Sequence, residues 1–122
     1  MVAFGVSLVP AAADLDRVFA LTRIADEAGL ELVGVQDHPY QRRFVDTFAL
    51  LGHLLARTSR ISVFPDVANL PLRPPAVLAK HAATLDVLSG GRFELGLGAG
   101  GFWEAIHAMG GPSRTPGEWW TP

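Results

Sequence analysis

Three short segments of this chain place chemically useful residues directly after apolar runs. Gln36-Asp37-His38-Pro39 follows Leu30 to Val35, Pro65-Asp66-Val67-Ala68-Asn69 follows Ile61 to Phe64, and Gly98-Ala99-Gly100-Gly101 follows Phe93 to Leu97. An imidazole titrates near neutrality, so His38 carries the side chain best suited to moving a proton. Its plain alternative is a turn histidine satisfied by neighbouring backbone. Asp37 can orient His38 or cap its own turn, and the residues leave both open. Glycines at 98, 100 and 101 let backbone approach a ligand closely because no Cβ stands in the way. Gly96-x-Gly98-x-x-Gly101 also fits the dinucleotide-binding spacing, but that motif belongs after a first strand, with an acidic residue about twenty positions further on. Here it follows the fourth apolar run, which makes it a weak signal.

Other chemistries find no support. His53, His81 and His107 fall on helical stretches without a ligand-type residue at i+4, and no pair of His, Asp or Glu has metal-ligand spacing. The absence of cysteine removes a disulfide framework, a thiolate nucleophile and a zinc-thiolate site. A net charge of −2 leaves no electrostatic footprint for nucleic acid or an anionic membrane surface. No apolar run reaches the roughly 18 residues of a membrane helix. The N-terminus lacks a basic region followed by an apolar core, so a soluble, cytoplasmic protein is expected.

The elements that must position these segments alternate. Phe4 to Val9 reads as a buried first strand. Asp14 can cap a helix carrying Leu15, Val18, Phe19, Ala25 and Ala28 on one face, with Gly29 as its stop. After the second run, Asp46 can cap a helix carrying Phe48, Leu51, Leu54 and Leu55. Pro74 and Pro75 can open a third helix, on which Leu78, Ala82, Leu85 and Leu88 recur at helical spacing before Gly90-Gly91. Arg92 to Leu97 alternates as a short strand, and Phe102 to Met109 as a short helix. Strand starts near residues 4, 31, 61 and 92 give a period of about thirty, which predicts a parallel sheet with helices outside it. An eight-unit (β/α) barrel takes about 250 residues, so 122 residues supply about half of one. A doubly wound sheet fits the alternation too. In either architecture the ligand site lies at the carboxyl ends of the strands, where all three segments sit.

Taken together, Phe4-Gly5, Gln36-Asp37-His38, Asn69-Leu70-Pro71 with Pro74-Pro75, Leu85-Asp86-Val87-Leu88-Ser89-Gly90-Gly91-Arg92-Phe93 and Gly96-Leu97-Gly98-Ala99-Gly100 resemble the bacterial luciferase-like monooxygenases. The resemblance implies the N-terminal half, about four βα units, of a (β/α)8 TIM barrel over residues 1–118, followed by an atypical tail at 119–122. It implies a flavin-dependent oxidoreductase, of monooxygenase type, that uses reduced FMN or, alternatively, a deazaflavin coenzyme with a small-molecule substrate. It places His38 as a catalytic residue at the reactive edge of the flavin, with Asp37 orienting it. It puts Asp66 and Val67, often joined by a cis peptide in this family, under the ring together with Ala68 and Asn69. Gly98, Ala99 and Gly100 would lie beside the ribityl chain and phosphate. The chain departs from deazaflavin-using relatives at Gly101, where an acidic residue is common, and from the luciferase subunit at Ala99, where an arginine stands. A rival expectation comes from length: a truncated half-barrel without activity of its own, associating with itself or a partner through its open edges, with Trp119-Trp120 as an abnormal end.

Overall fold

In the computed structural model, which describes residues 2–112, strands and helices alternate as the thirty-residue period predicts. β1 (Gly5–Leu8), β2 (Leu32–Val35) and β3 (Ser62–Pro65) form a parallel sheet in that order, with Val6 opposite Val33 and Val33 opposite Val63. Beyond Asp66 and Val67 the third strand resumes as β4 (Ala68–Asn69), which pairs in parallel with β5 (Leu97–Gly98). A bridge between Val63 and Phe93 ties the fourth segment back to β3 as well. Each strand therefore lies beside its neighbour in sequence. A doubly wound sheet reverses its order at a switch point, whereas a barrel runs on in one direction. The consecutive order is that of a partial (β/α) barrel and removes the doubly wound alternative.

The helices are α1 (Leu15–Ala28), α2 (Thr47–Ala56), α3 (Pro75–Ser89) and α4 (Trp103–Ala108). α1 and α3 stop at Gly29 and Gly90, whose φ of 81° and 69° a residue with a Cβ adopts only under strain. α2 starts where Asp46 Oδ1 accepts the Ala49 N–H at 2.9 Å. Leu51 and Leu54 of α2 join Val33, Val35, Ile61 and Val63 in one buried cluster, and Phe93 packs on Phe48 with ring centroids 6.2 Å apart. This cluster fixes α2 against β3 and so fixes the loops at the strands' carboxyl ends.

Four expectations about elements need correction. β1 is an edge strand among the described residues: only Leu8 is buried, and Phe4 is 65% exposed, because no strand lies on its other side. Asp14 precedes α1 but makes no side-chain cap, since a short 3-10 turn (Ala12–Asp14) leads into the helix. The expected strand from Arg92 to Leu97 is reduced to the bridge at Phe93 and the pair at Leu97 and Gly98, where its neighbour is broken by the turn at Asp66 and Val67. Leu88 is 78% exposed instead of buried with Leu78, because the core contacts of α3 run out after Leu85. Trp119 and Trp120 lie outside the described residues.

Two charged side chains secure the amino ends of the strands, opposite the segments of interest. The buried Asp26 carboxylate accepts N–H groups from Ser59, Arg60 and Ile61 at 2.8–3.0 Å, pinning the α2–β3 connection to α1. Arg92 donates to the carbonyls of Leu55, Ile61 and Ser89 and to Thr58 Oγ1, tying α2, β3 and α3 together. Burial alone would raise the Asp26 carboxyl, but the backbone donors outweigh it and hold it below its ordinary value. A lowered carboxyl contributes stability above its unfolded pKa and loses it as pH falls through the folded value. Urea midpoints should therefore drop between about pH 5 and pH 2. Asp26→Asn should flatten part of that drop and cost about 1.5–3 kcal/mol at neutral pH; an unchanged midpoint would refute the anchoring role.

Candidate functional site

The loop after β2, the Asp66-Val67 turn with β4, and the end of β5 with the loop after it meet in one cleft of about 370 Å³ at the carboxyl ends of the strands. It brings together Asp37 and His38, then Asp66, Val67, Ala68 and Asn69, then Gly98, Ala99 and Gly100. All nine residues singled out from sequence thus line a single space, and Tyr40, Gly101 and Phe102 complete it.

Asp37 makes no hydrogen bond to His38 among the described residues. Its carboxylate, 1% exposed, forms a two-pronged pair with Arg73: Nε donates to Oδ2 at 2.7 Å and Nη2 to Oδ1 at 2.6 Å. Oδ2 also accepts the Asn69 backbone N–H at 2.8 Å. The carboxylate therefore joins the loop after β2 to the end of β4, a structural duty that engages three of its roughly four acceptor sites. Arg73 in turn reaches Asp46 Oδ2 at 3.3 Å and lies over the Phe48 ring, 4.2 Å from its centroid. Burial works against the guanidinium charge, but the two carboxylates outweigh it and hold the proton more firmly than in a free arginine. Sequence reasoning missed Arg73. The available signal was a charged residue inside the apolar, proline-rich run Leu70-Pro71-Leu72-Arg73-Pro74-Pro75.

His38 is held instead by Tyr40, whose hydroxyl lies 2.7 Å from Nδ1. Tyr40, too, went unnoticed in the sequence, although an aromatic with a polar tip two residues after the histidine was there to be read. On the other wall, the Asp66-Val67 peptide is cis, as the resemblance implied. Asp66 Oδ2 accepts from Ser7 Oγ at 3.0 Å, which fixes the bulge to β1 across β2. Gly34 on β2 makes that crossing possible: a Cβ there would sit 2.9 Å from the Phe64 ring and 3.0 Å from Asp66 Cβ. A lone glycine inside an apolar strand is the sequence mark of such a close approach.

The glycine segment forms a cradle. A Cβ at Gly98 would fall on the Val67 side chain, and one at Gly100 would meet Pro71 and Ile106 at 3.0 Å. Beside it, Asn69 is 5% exposed, and its Oδ1 is a buried acceptor without a hydrogen-bond donor in the described structure. An unmatched buried acceptor costs about 1–3 kcal/mol, so its place in a ligand cleft points to a ligand N–H or O–H. Among the described residues no group of acidic, cysteine or histidine side chains is arranged for a metal, and no helix is long and apolar enough to cross a membrane. The arrangement provides a lone acceptor, an imidazole and bare backbone around one cleft.

Residues 1–118 match the family described as luciferase-like monooxygenase. The chain is 46% identical over 56 residues to pyrimidine monooxygenase RutA of Escherichia coli, covering 46% of this chain and 17% of that protein. It is 31% identical over 99 residues to 5,10-methylenetetrahydromethanopterin reductase of Methanopyrus kandleri, covering 81% of this chain and 27% of that one. Among solved structures, the coenzyme F420 dependent tetrahydromethanopterin reductase of M. kandleri superposes with a TM-score of 0.77 at 30% identity, over 92% of this chain and 31% of that one. The oxygenating constituent of 3,6-diketocamphane monooxygenase from Pseudomonas putida, in complex with FMN, gives 0.75 at 25% identity, over 88% and 33%. The matched stretch thus spans a third or less of each relative's length.

Proposed function

The chain belongs to the luciferase-like monooxygenase family, and from that membership we propose that its cleft is the ring-binding end of a flavin-dependent oxidoreductase site, of monooxygenase type, taking reduced FMN and a small-molecule substrate. The observation that carries this reading is the buried, unmatched Asn69 Oδ1 beside the Gly98 to Gly100 cradle. A flavin ring offers N–H donors along a flat edge, and the bare backbone leaves room for the chain attached to it. Asp66, Val67 and Ala68 support one face of the ring. Gly98, Ala99 and Gly100 approach the ribityl and phosphate side. His38 donates a hydrogen bond or a proton at the reactive edge, and Asp37, clamped by Arg73, holds the Asn69 backbone in place through its own Oδ2. When bound, reduced flavin supplies the two-electron redox chemistry, and the protein supplies position and exclusion of water.

A deazaflavin coenzyme is the second reading, supported by the match to the M. kandleri reductase over most of this chain. Fluorescence titration of the 122-residue chain with FMN and with the deazaflavin coenzyme, oxidised and reduced, separates the two. Saturable binding of one in the micromolar range is the expected result; a folded chain that binds neither would sink the reading. The sheet edges offer a separate property to check: Val2 and Phe4 just before β1 and Leu97 on β5 lie exposed, so self-association by sedimentation should be measured alongside.

Asn69→Leu provides a test with two opposite signs. Removing the unmatched acceptor should raise the urea stability by about 1 kcal/mol or more. The same change should weaken flavin binding about 2- to 12-fold, the worth of one net hydrogen bond. Unchanged affinity would remove Asn69 from the ring-binding set.

A further inference from the structure

Tyr40 has no part in the proposed flavin site so far, yet it makes a short, direct contact with His38 in the cleft. Its hydroxyl lies 2.7 Å from Nδ1, and the two rings sit 5.5 Å apart. Phe44 and Phe102 flank the same imidazole at 6.3 and 5.8 Å, the latter edge-on at 81°, so the ring has little freedom to flip. A neutral imidazole carries one N–H and one bare nitrogen, and the partner of one nitrogen decides the state of the other. Between a phenol and an imidazole the phenol is the stronger acid and the bare ring nitrogen the stronger base. The hydrogen bond therefore runs from O–H to Nδ1. Burial, and then the Asp37 carboxylate, push the Tyr40 phenol above its ordinary value, so it keeps the proton it donates. With Nδ1 accepting, the imidazole proton sits on Nε2, which makes no hydrogen bond among the described residues and belongs to a ring lining the cleft.

We propose that Tyr40 is a positioning residue that locks His38 in the Nε2–H tautomer, so that the cleft presents an N–H donor and favours a substrate with an acceptor oxygen, such as a carbonyl. His38 then serves as a donor in its neutral state and not as a base, because Nε2 already holds the proton and Nδ1 is occupied by Tyr40. The statement about substrate rests on the flavin reading above; the tautomer does not depend on it.

The test is nitrogen NMR of the 15N-labelled 122-residue chain, without cofactor, at a pH where the imidazole is neutral. The His38 ring should show a protonated Nε2 and a bare, hydrogen-bonded Nδ1 as two well-separated signals. In Tyr40→Phe the two signals should move toward each other as the tautomers mix. Phe44→Leu, which trims the aromatic box and keeps the hydroxyl, should preserve the separation. A parent chain protonated at Nδ1, or a Tyr40→Phe spectrum like the parent's, overturns the proposal, and the parent measurement decides it even if the variant folds poorly. If the parent shows the Nε2–H form while neither flavin binds, the flavin reading fails and the Tyr40 role stands.

Discussion

Replacement of Arg73 by methionine should destabilise the chain by about 3–5 kcal/mol, the range for removing one partner of a buried ion pair. Without Arg73 the Asp37 carboxylate keeps only the Asn69 N–H: its side chain is 1% exposed and that of Arg73 only 13%, so it would be left charged without a counter-ion or forced to take up a proton. The second carboxylate, Asp46, is 55% exposed and adds little. Methionine keeps much of the packing over Phe48, so the loss reports on charge pairing more than on contact area. Urea unfolding of the parent, Arg73→Met, and the double variant Arg73→Met with Asp37→Leu gives the check. The double variant should recover most of the loss, since it removes the stranded charge. A single variant within 1 kcal/mol of the parent would mean that Asp37 does not depend on Arg73. Because Asp37 also holds the Asn69 N–H, flavin affinity should fall in the single variant even under conditions where it stays folded.

Gly98→Val should cut flavin affinity about 10- to 100-fold. The added side chain would occupy the space of Val67, and forcing it into a packed wall costs about 1–3 kcal/mol. Val67 follows directly on Asp66, so any adjustment moves the wall that faces the ring as well as the cradle. Val87→Ala is the control: Val87 is 80% exposed on α3 and does not line the cleft, so its affinity should match the parent's. Equal affinities for Gly98→Val and Val87→Ala would show that the cradle is not where the ligand lies.

Local chemistry made much of this legible in advance. Asp46, Gly29 and Gly90 act within a turn of their own helices, and helical spacing on α2 named a face that is buried. The meeting of the three segments in one cleft was readable because each follows directly on an apolar run, and parallel strands present their carboxyl ends on one side. What escaped depends on neighbours distant in the chain. The burial of β1 is decided by what lies along its outer edge, and its apolar residues look the same whether or not a strand is there. The Arg73–Asp37 pair joins positions 36 apart in sequence, so local patterning cannot announce it. Asp37 sits next to His38, and adjacency suggested a partnership that the tertiary structure gives to Tyr40.

The anchors at Asp26 and Arg92 have a bearing on how this fold diversifies. Both bind backbone at the strands' amino ends, whereas the residues that would distinguish one ligand from another crowd the opposite rim. Substitutions at Ala99, Gly101 or Phe102 leave every hydrogen bond of Asp26 and Arg92 untouched. A library randomised at those rim positions should therefore retain a large folded fraction, and selection could sample new specificities without first repairing the scaffold.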